Sequence, residues 1–254
     1  MKNIFLFLII VLSINVSNAQ EHKEYYENGQ LKQIVGFENG SQMGKVKSFH
    51  ENGQLMKIGV GDDSGPTGEW KEYYESGKLF VVTTYKNGEL NGKQTFYYEN
   101  GEIENEVLYE NDQKTGELKE YYENGQLESV ATFLNGKENG ESKYYFENGQ
   151  LHSETTFLNG KVSGEYIQYH KNGKFATFGM FVNGKQTGEW KYYDNFGSFY
   201  KTLMFKDGEK LTGEWIEYHK NGQKKVSGYC EDGEKIGDWM AYDENGDYIG
   251  IIVN

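Results

Sequence analysis

KEYYENGQL runs from Lys23 to Leu31, and the same nine residues return from Lys119 to Leu127. The two copies stand 96 residues apart, which is four times 24. That interval governs nearly the whole chain. Gly44, Gly68, Gly92, Gly116, Gly140, Gly164 and Gly188 follow one another at steps of 24, Gly213 comes after 25, and Gly237 after a further 24. Counting back from Gly44 reaches Gln20. Nine units therefore start at residues 20, 44, 68, 92, 116, 140, 164, 188 and 213, with a partial tenth from 237. A period of this length is the signature of a repeat architecture and takes precedence over any single motif.

With the first residue of a unit called slot 0, slot 5 is aromatic throughout: Tyr25, Phe49, Tyr73, Tyr97, Tyr121, Tyr145, Tyr169, Tyr193, Tyr218 and Tyr242. Slot 9 is always Gly, usually after Asn. Slot 11 is mostly Leu, Ile or Phe, and slot 17 mostly Phe or Tyr, as at Phe37, Tyr85, Tyr109, Phe133, Phe157, Phe181 and Phe205. A second Asn-Gly or Asp-Gly pair generally follows at slots 19 and 20. Each unit thus reads as strand, Asn-Gly turn, strand, looser Gly-rich turn. Gly and Asn tolerate the positive φ that tight hairpin turns demand. A three-residue loop with a Gly bulge sets slot 5 opposite slot 11, and the regular apolar slots 5, 11 and 17 are then expected to share one face. The fold expected is all-β: an elongated, twisted antiparallel β-meander ribbon of about ten 24-residue repeats, two strands each. Every repeat touches only its neighbours, as in a solenoid.

The composition agrees. Gly is 33 and Pro 1, with 21 Tyr and 15 Phe, while only 36% of residues are hydrophobic. That is too little aliphatic matter for a thick core and too many rings for a disordered chain. Ahead of the repeats, Lys2 is followed by the apolar run Ile4 to Leu12 and a stretch ending in Ala19. This reads as a secretory signal peptide over residues 1–19, cleaved between Ala19 and Gln20. The apolar run is too short to span a bilayer, which needs about 20 residues. The repeat domain is then 20–254, in the periplasm or secreted. The formal charge of −13 sets the chain against phosphate backbones, so nucleic acid is not an expected partner. One Cys permits no internal disulfide.

The period also tests for chemistry. His50, His170 and His219 fall in slot 6, where five other units carry Tyr26, Tyr74, Tyr98, Tyr122 or Phe146. Equivalent slots in adjacent units lie two strands, roughly 9–10 Å, apart, too far for one zinc with ligands near 2 Å. No metal or cofactor is expected. Glu69, Glu117, Glu141, Glu165, Glu189 and Glu214 all occupy slot 1, which reads as a solvated column beside Lys rather than one acid–base pair. Asp62-Asp63 lacks the EF-hand spacing, and Cys230 sits in the apolar slot 17. No nucleophilic triad, P-loop or dinucleotide fingerprint is present, so no catalytic residues are assigned. Trp70, Trp190, Trp215 and Trp239 share slot 2. Two readings stand for them: packing within the ribbon, or a ladder of rings for a sugar chain or a partner's side chains.

Stretches such as GEWKEYYESGKLFVVTTYKNGELNG, Gly68 to Gly92, and GEYIQYHKNGKFATFGMFVNGKQTG, Gly164 to Gly188, resemble the MORN repeat. They look most like the variant found in bacterial proteins of the YwqK type, often described as antitoxin components. The Gly-Glu-aromatic start, the Tyr, and the two Asn-Gly pairs carry the likeness. It implies an extended ribbon that holds other molecules, without catalytic residues. The leading expectation is an exported, non-enzymatic repeat protein mediating protein–protein interaction. Carbohydrate or cell-envelope binding through the rings, and an antitoxin or immunity role, are the alternatives.

Overall fold

The computed structural model describes residues 20–37 and 44–252. Residues 1–19, with Ala19 and the expected signal peptide, lie outside them. Contacts divide the chain into two compact units, with strand β6 (Leu79–Lys86) contributing residues to both. The first unit carries β1 (Gln20–Tyr25), β2 (Leu31–Phe37), β3 (Lys45–Phe49), β4 (Leu55–Asp62) and β5 (Gly65–Tyr73). The second carries β7 (Glu89–Tyr97), β8 (Ile103–Glu110), β9 (Gln113–Tyr121), β10 (Leu127–Leu134), β11 (Lys137–Tyr145) and β12 (Leu151–Leu158). It continues with β13 (Lys161–Tyr169), β14 (Phe175–Val182), β15 (Lys185–Tyr193), β16 (Phe199–Lys206) and the two-residue β17 (Glu209–Lys210). A separate four-stranded sheet closes it: β18 (Gly213–Tyr218), β19 (Lys224–Glu231), β20 (Glu234–Tyr242) and β21 (Tyr248–Ile252). Every described element is a strand, and apart from the break between β17 and β18, sequence neighbours within each unit pair antiparallel. The fold is an all-β meander with two strands per repeat.

The two turns of a repeat differ in kind. At the first, Gly149 takes φ 79° while Asn148 keeps an ordinary φ. The Phe146 amide donates to the Gln150 carbonyl and the Gly149 amide to the Phe146 carbonyl, giving a three-residue loop followed by a bulge. At the second, both Asn159 (φ 52°) and Gly160 (φ 80°) are left-handed, the pattern of a tight two-residue type I′ turn. The turn expected to be looser is therefore the tighter one.

The bulge sets the faces. Tyr145 stands opposite Leu151, but Tyr144 stands opposite Ser153, so Leu151 and His152 together face one residue. Slot 5 does meet slot 11 as expected, and the same pairing recurs at Tyr25–Leu31, Tyr121–Leu127 and Tyr169–Phe175. The expectation that slot 17 joins them is overturned. The extra residue reverses the alternation beyond it, and slots 13, 15 and 17 turn to the side of slots 4, 2 and 0. Phe181 and Phe205 accordingly pack on Trp190 rather than on slot 5.

Repeats are tied by side chains as well as by the sheet. In slot 6 the Tyr26, Tyr98 and Tyr122 hydroxyls donate, each at 2.7 Å, to the slot 5 carbonyl of the next repeat. His50, His170 and His219 make the same bond through Nε2, at 2.9–3.0 Å to Tyr73, Tyr193 and Tyr242. A carbonyl can only accept, so Nε2 bears the proton. Slot 8 asparagines add a second link, as from Asn52 Nδ2 to the Glu75 carbonyl and Asn100 Nδ2 to that of Glu123.

This linkage stops at the 25-residue step. Slot 6 there is Asp194, which accepts from its own turn's Phe196 and Ser198 amides instead of reaching onward. Beyond it β17 pairs only Phe205 with Lys210 and Lys206 with Glu209. The last sheet then docks on β16: the Met204 amide donates to Gly233, and the Gly233 amide to Leu211. Leu203, Met204 and Phe205 are consecutive and all buried. In slot 16 the equivalents of Met204, namely Val60, Leu108 and Met180, are exposed. Only the added sheet buries Met204, in a cluster with Cys230 and Trp239. Lys235 and Glu189 pair across the same joint at 2.8 Å.

Candidate functional site

Slot 2 builds the buried side of the meander. Trp70, Trp190 and Trp239 are 6%, 3% and 2% exposed, and Trp215 is partly buried beside Met204 and Cys230. Each of the three buried indoles lies over a glycine in slot 15 of the preceding repeat: Gly59, Gly179 and Gly228. A Cβ at any of these would fall within the ring. Elsewhere the pair trades size differently, with Ala131 opposite Ser142 and Thr155 opposite Tyr166. The slot before Trp215 holds Leu203, and that indole alone stays partly open. Trp70 Nε1 donates to the Val60 carbonyl at 2.9 Å, whereas Trp190 Nε1 and Trp239 Nε1 find no acceptor. An unpaired N–H costs about 1–3 kcal/mol. Burying 150–250 Å² of ring returns roughly 4–6 kcal/mol, so packing wins. Trp190 stands in a core ladder, Tyr166–Phe181–Trp190–Phe205, at centroid spacings of 5.0–6.0 Å.

A second ladder lies on the other face. Tyr169 stacks on Phe175 at 5.2 Å, Phe175 meets Tyr193 at 6.3 Å, and Tyr193 meets Phe199 at 5.9 Å. Phe175 and Phe199 are 51% and 56% exposed. Both take slot 11, where the six preceding repeats have Leu or Ile. That substitution is the signal in the sequence for this row. Among the remaining slot 5 residues, Tyr25 and Tyr218 are exposed, while Tyr97 and Tyr145 stand opposite Ile103 and Leu151. Tyr242 stands opposite Tyr248, and the Tyr73 carbonyl accepts from His50. Tyr121 donates to Glu106 at 3.0 Å. The hydrogen bond from Lys93 foremost, then that from Tyr121, holds the Glu106 carboxyl below its usual range against the opposing effect of burial. An ionised carboxylate fixed between two donors is braced, not poised as a general acid.

At the bulged turns of the repeats at Gly140, Gly164 and Gly188 lies a cleft of about 610 Å³, lined from slot 4 by Gln168 and Tyr192 and from slot 5 by Tyr169 and Tyr193. It opens because slot 12 is Ala176, where other repeats have Lys32, Met56, Phe80, Glu104 or His152. Buried Ala176 and Thr177 form its floor. One wall is Phe146 packed on His152, ring centroids 4.4 Å apart, and Tyr192 lies opposite. Gln168 Nε2 donates to His152 Nε2 at 3.2 Å, which puts that ring's proton on Nδ1. Lys171 Nζ sits 5.9 Å from the Phe146 centroid. Among the described residues no group of three or more His, Cys, Asp or Glu could hold a metal ion. No described helix could cross a membrane.

Comparison with solved structures returns likenesses of low score. Alternansucrase in complex with isomaltononaose is 16% identical over 90% of this chain and 18% of that one, with a TM-score of 0.22. The Photorhabdus luminescens Tc holotoxin pore gives 12% over 90% and 13%, TM-score 0.19. A TcdB2–TccC3 complex gives 13% over the same shares, TM-score 0.18. The chain spans less than a fifth of each, and at these scores they fix neither fold nor ligand. No curated protein matches the chain. The family model of the MORN repeat variant matches residues 21–39, 44–60, 66–87, 90–111, 114–135, 138–159 and 211–229. Such repeats generally serve as modules that bind proteins or membranes. With more than half of its residues matched in seven separate repeats, the chain belongs to the MORN repeat variant family.

Proposed function

We propose that this protein is an exported, non-enzymatic binding module that holds a protein partner against the exposed ladder Tyr169–Phe175–Tyr193–Phe199. The observation that supports it is the exposure of Phe175 and Phe199, two large rings in a slot that Leu or Ile fills in the six preceding repeats. Rigid aromatic rows of this kind supply contact area at small entropic cost, and they concentrate binding energy at interfaces. Export rests on the segment 1–19, and the protein that acts is then the chain from Gln20 onward.

The test is a retention experiment on envelope extract, with the immobilised protein and its Phe175→Ser/Phe199→Ser variant side by side. A protein held in near-equal amount by the native chain and at least tenfold less by the variant is the expected result. Equal retention by both would move the contact off this row. Mass analysis of the exported product checks cleavage, which places Gln20 at its N-terminus.

A further inference from the structure

The cleft over Ala176 is where an acidic chain stops presenting carboxylates. Slot 7, at the mouth of each bulged turn, is Glu99, Glu123 and Glu147 in three successive repeats, then Lys171 and Asn195. None of the residues lining this cleft is acidic. Four further clefts of the same unit each include at least one carboxylate, among them Glu106, Glu141, Glu244 and Asp238. Against a formal charge of −13, that makes the Ala176 cleft a place where an anion meets the Lys171 ammonium with no carboxylate in the lining, Glu147 and Asp194 being the nearest acids in sequence.

Its walls are equally specific. Phe146, braced by His152, and Tyr192 offer flat apolar surfaces. Gln168, Asn172, Asn195 and Thr177 bring amide and hydroxyl groups to the same space. Rings for the C–H face of a pyranose, neutral donors and acceptors for its hydroxyls, and one cation for an acid group make a complementary set. The volume falls within the range of about 300–1,000 Å³ usual for ligand sites. A peptide is the weaker fit. Strands β12 to β15 beneath the cleft are paired on both sides, so no sheet edge is available to an added strand there.

We infer that the cleft between Phe146, Lys171, Ala176 and Tyr192 binds a sugar chain whose rings carry carboxylates. It borders the slot 5 row, since Tyr169 and Tyr193 also line it, but the exposed slot 11 rings Phe175 and Phe199 do not. The variants keep the two readings distinguishable: Phe175→Ser/Phe199→Ser alters the ladder without touching a lining residue of the cleft, and Lys171→Glu alters the cleft without touching a ring of the ladder.

Calorimetric titration of the purified protein with galacturonate oligomers tests this, beside neutral galactose oligomers of equal length and poly-glutamate. Two variants accompany it. Ala176→Phe fills the cleft with the residue that Phe80 places in the same slot, and Lys171→Glu installs the charge that Glu147 has in its own repeat. Saturable binding of the acidic sugar, at least tenfold weaker in either variant and for the neutral oligomer, is expected. The inference is overturned if the acidic sugar does not bind, or if a folded Ala176→Phe protein binds it as the native one does. It is also overturned if neutral oligomers bind equally well, or if poly-glutamate binds as tightly. Matching urea midpoints establish that the variants are folded, and Lys171→Glu carries the test alone if Ala176→Phe is not.

Discussion

Gly179 has an ordinary backbone conformation, so its small size and not its flexibility is what the fold uses. The Trp190 indole occupies the space a side chain would need. Gly179→Ala should cost about 1–3 kcal/mol by overpacking. Changing the pair together to Thr and Tyr recreates Thr155 and Tyr166, which face each other in the neighbouring repeat. The double variant should therefore lie closer to the native protein than the sum of its singles. Urea midpoints in a double-mutant cycle read that coupling, and strict additivity would show that the glycine and the indole do not trade space. The pairing was legible in principle. Trp70, Trp190 and Trp239 each follow a slot 15 glycine by eleven residues, but the pattern has meaning only once those two slots are known to meet.

At the scale of the element, the period was open to reading because each repeat returns the same residue type to the same slot, and slot 5 opposite slot 11 followed from the Asn-Gly turn. What stayed hidden was the face of slot 17. One bulged residue, such as His152 beside Leu151, inverts every residue beyond it, and a single sequence carries no mark of that inversion. The joint at β16 was visible as a step of 25, yet not as a second sheet. Its ion pair gives it a pH dependence. Burial alone would raise the Glu189 carboxyl, but Lys235 at 2.8 Å and Lys191 at 3.2 Å more than offset this and hold it below its usual range. A carboxyl lowered in the folded state stabilises above its unfolded pKa, and that contribution disappears as pH falls through the folded value. The native protein should thus exceed Glu189→Gln in urea midpoint near neutrality, with the gap closing in acid. A gap that stays constant with pH would remove the ion pair from the account.

For the whole molecule, stability in a repeat array is close to a sum over repeats and their interfaces. Excising residues 116–139 joins Thr115 to Gly140, which keeps every slot in place. Such a chain should remain a cooperative β protein with a lower midpoint. Removing residues 116–138 instead takes one residue too few and shifts the register that directs the rings inward. Far-UV circular dichroism and urea titration distinguish the two, and equal behaviour would deny that the 24-residue interval sets the facing. The His slots belong to the same logic. His50, His170 and His219 hold the next repeat by the bond that Tyr makes elsewhere, so their conspicuous chemistry is spent on linkage.

Cys230 is the chain's single thiol, and it lies fully buried beneath Trp239 and Met204. Burial chiefly, against the opposing influence of Lys235, pushes that thiol's pKa up, which leaves it unreactive while the joint is shut. Each opening of the last sheet from β16 uncovers one thiol and no other. The molecule therefore carries its own latch counter: with enough thiol reagent to outrun reclosing, the pace of labelling is the pace at which the final repeats come undone.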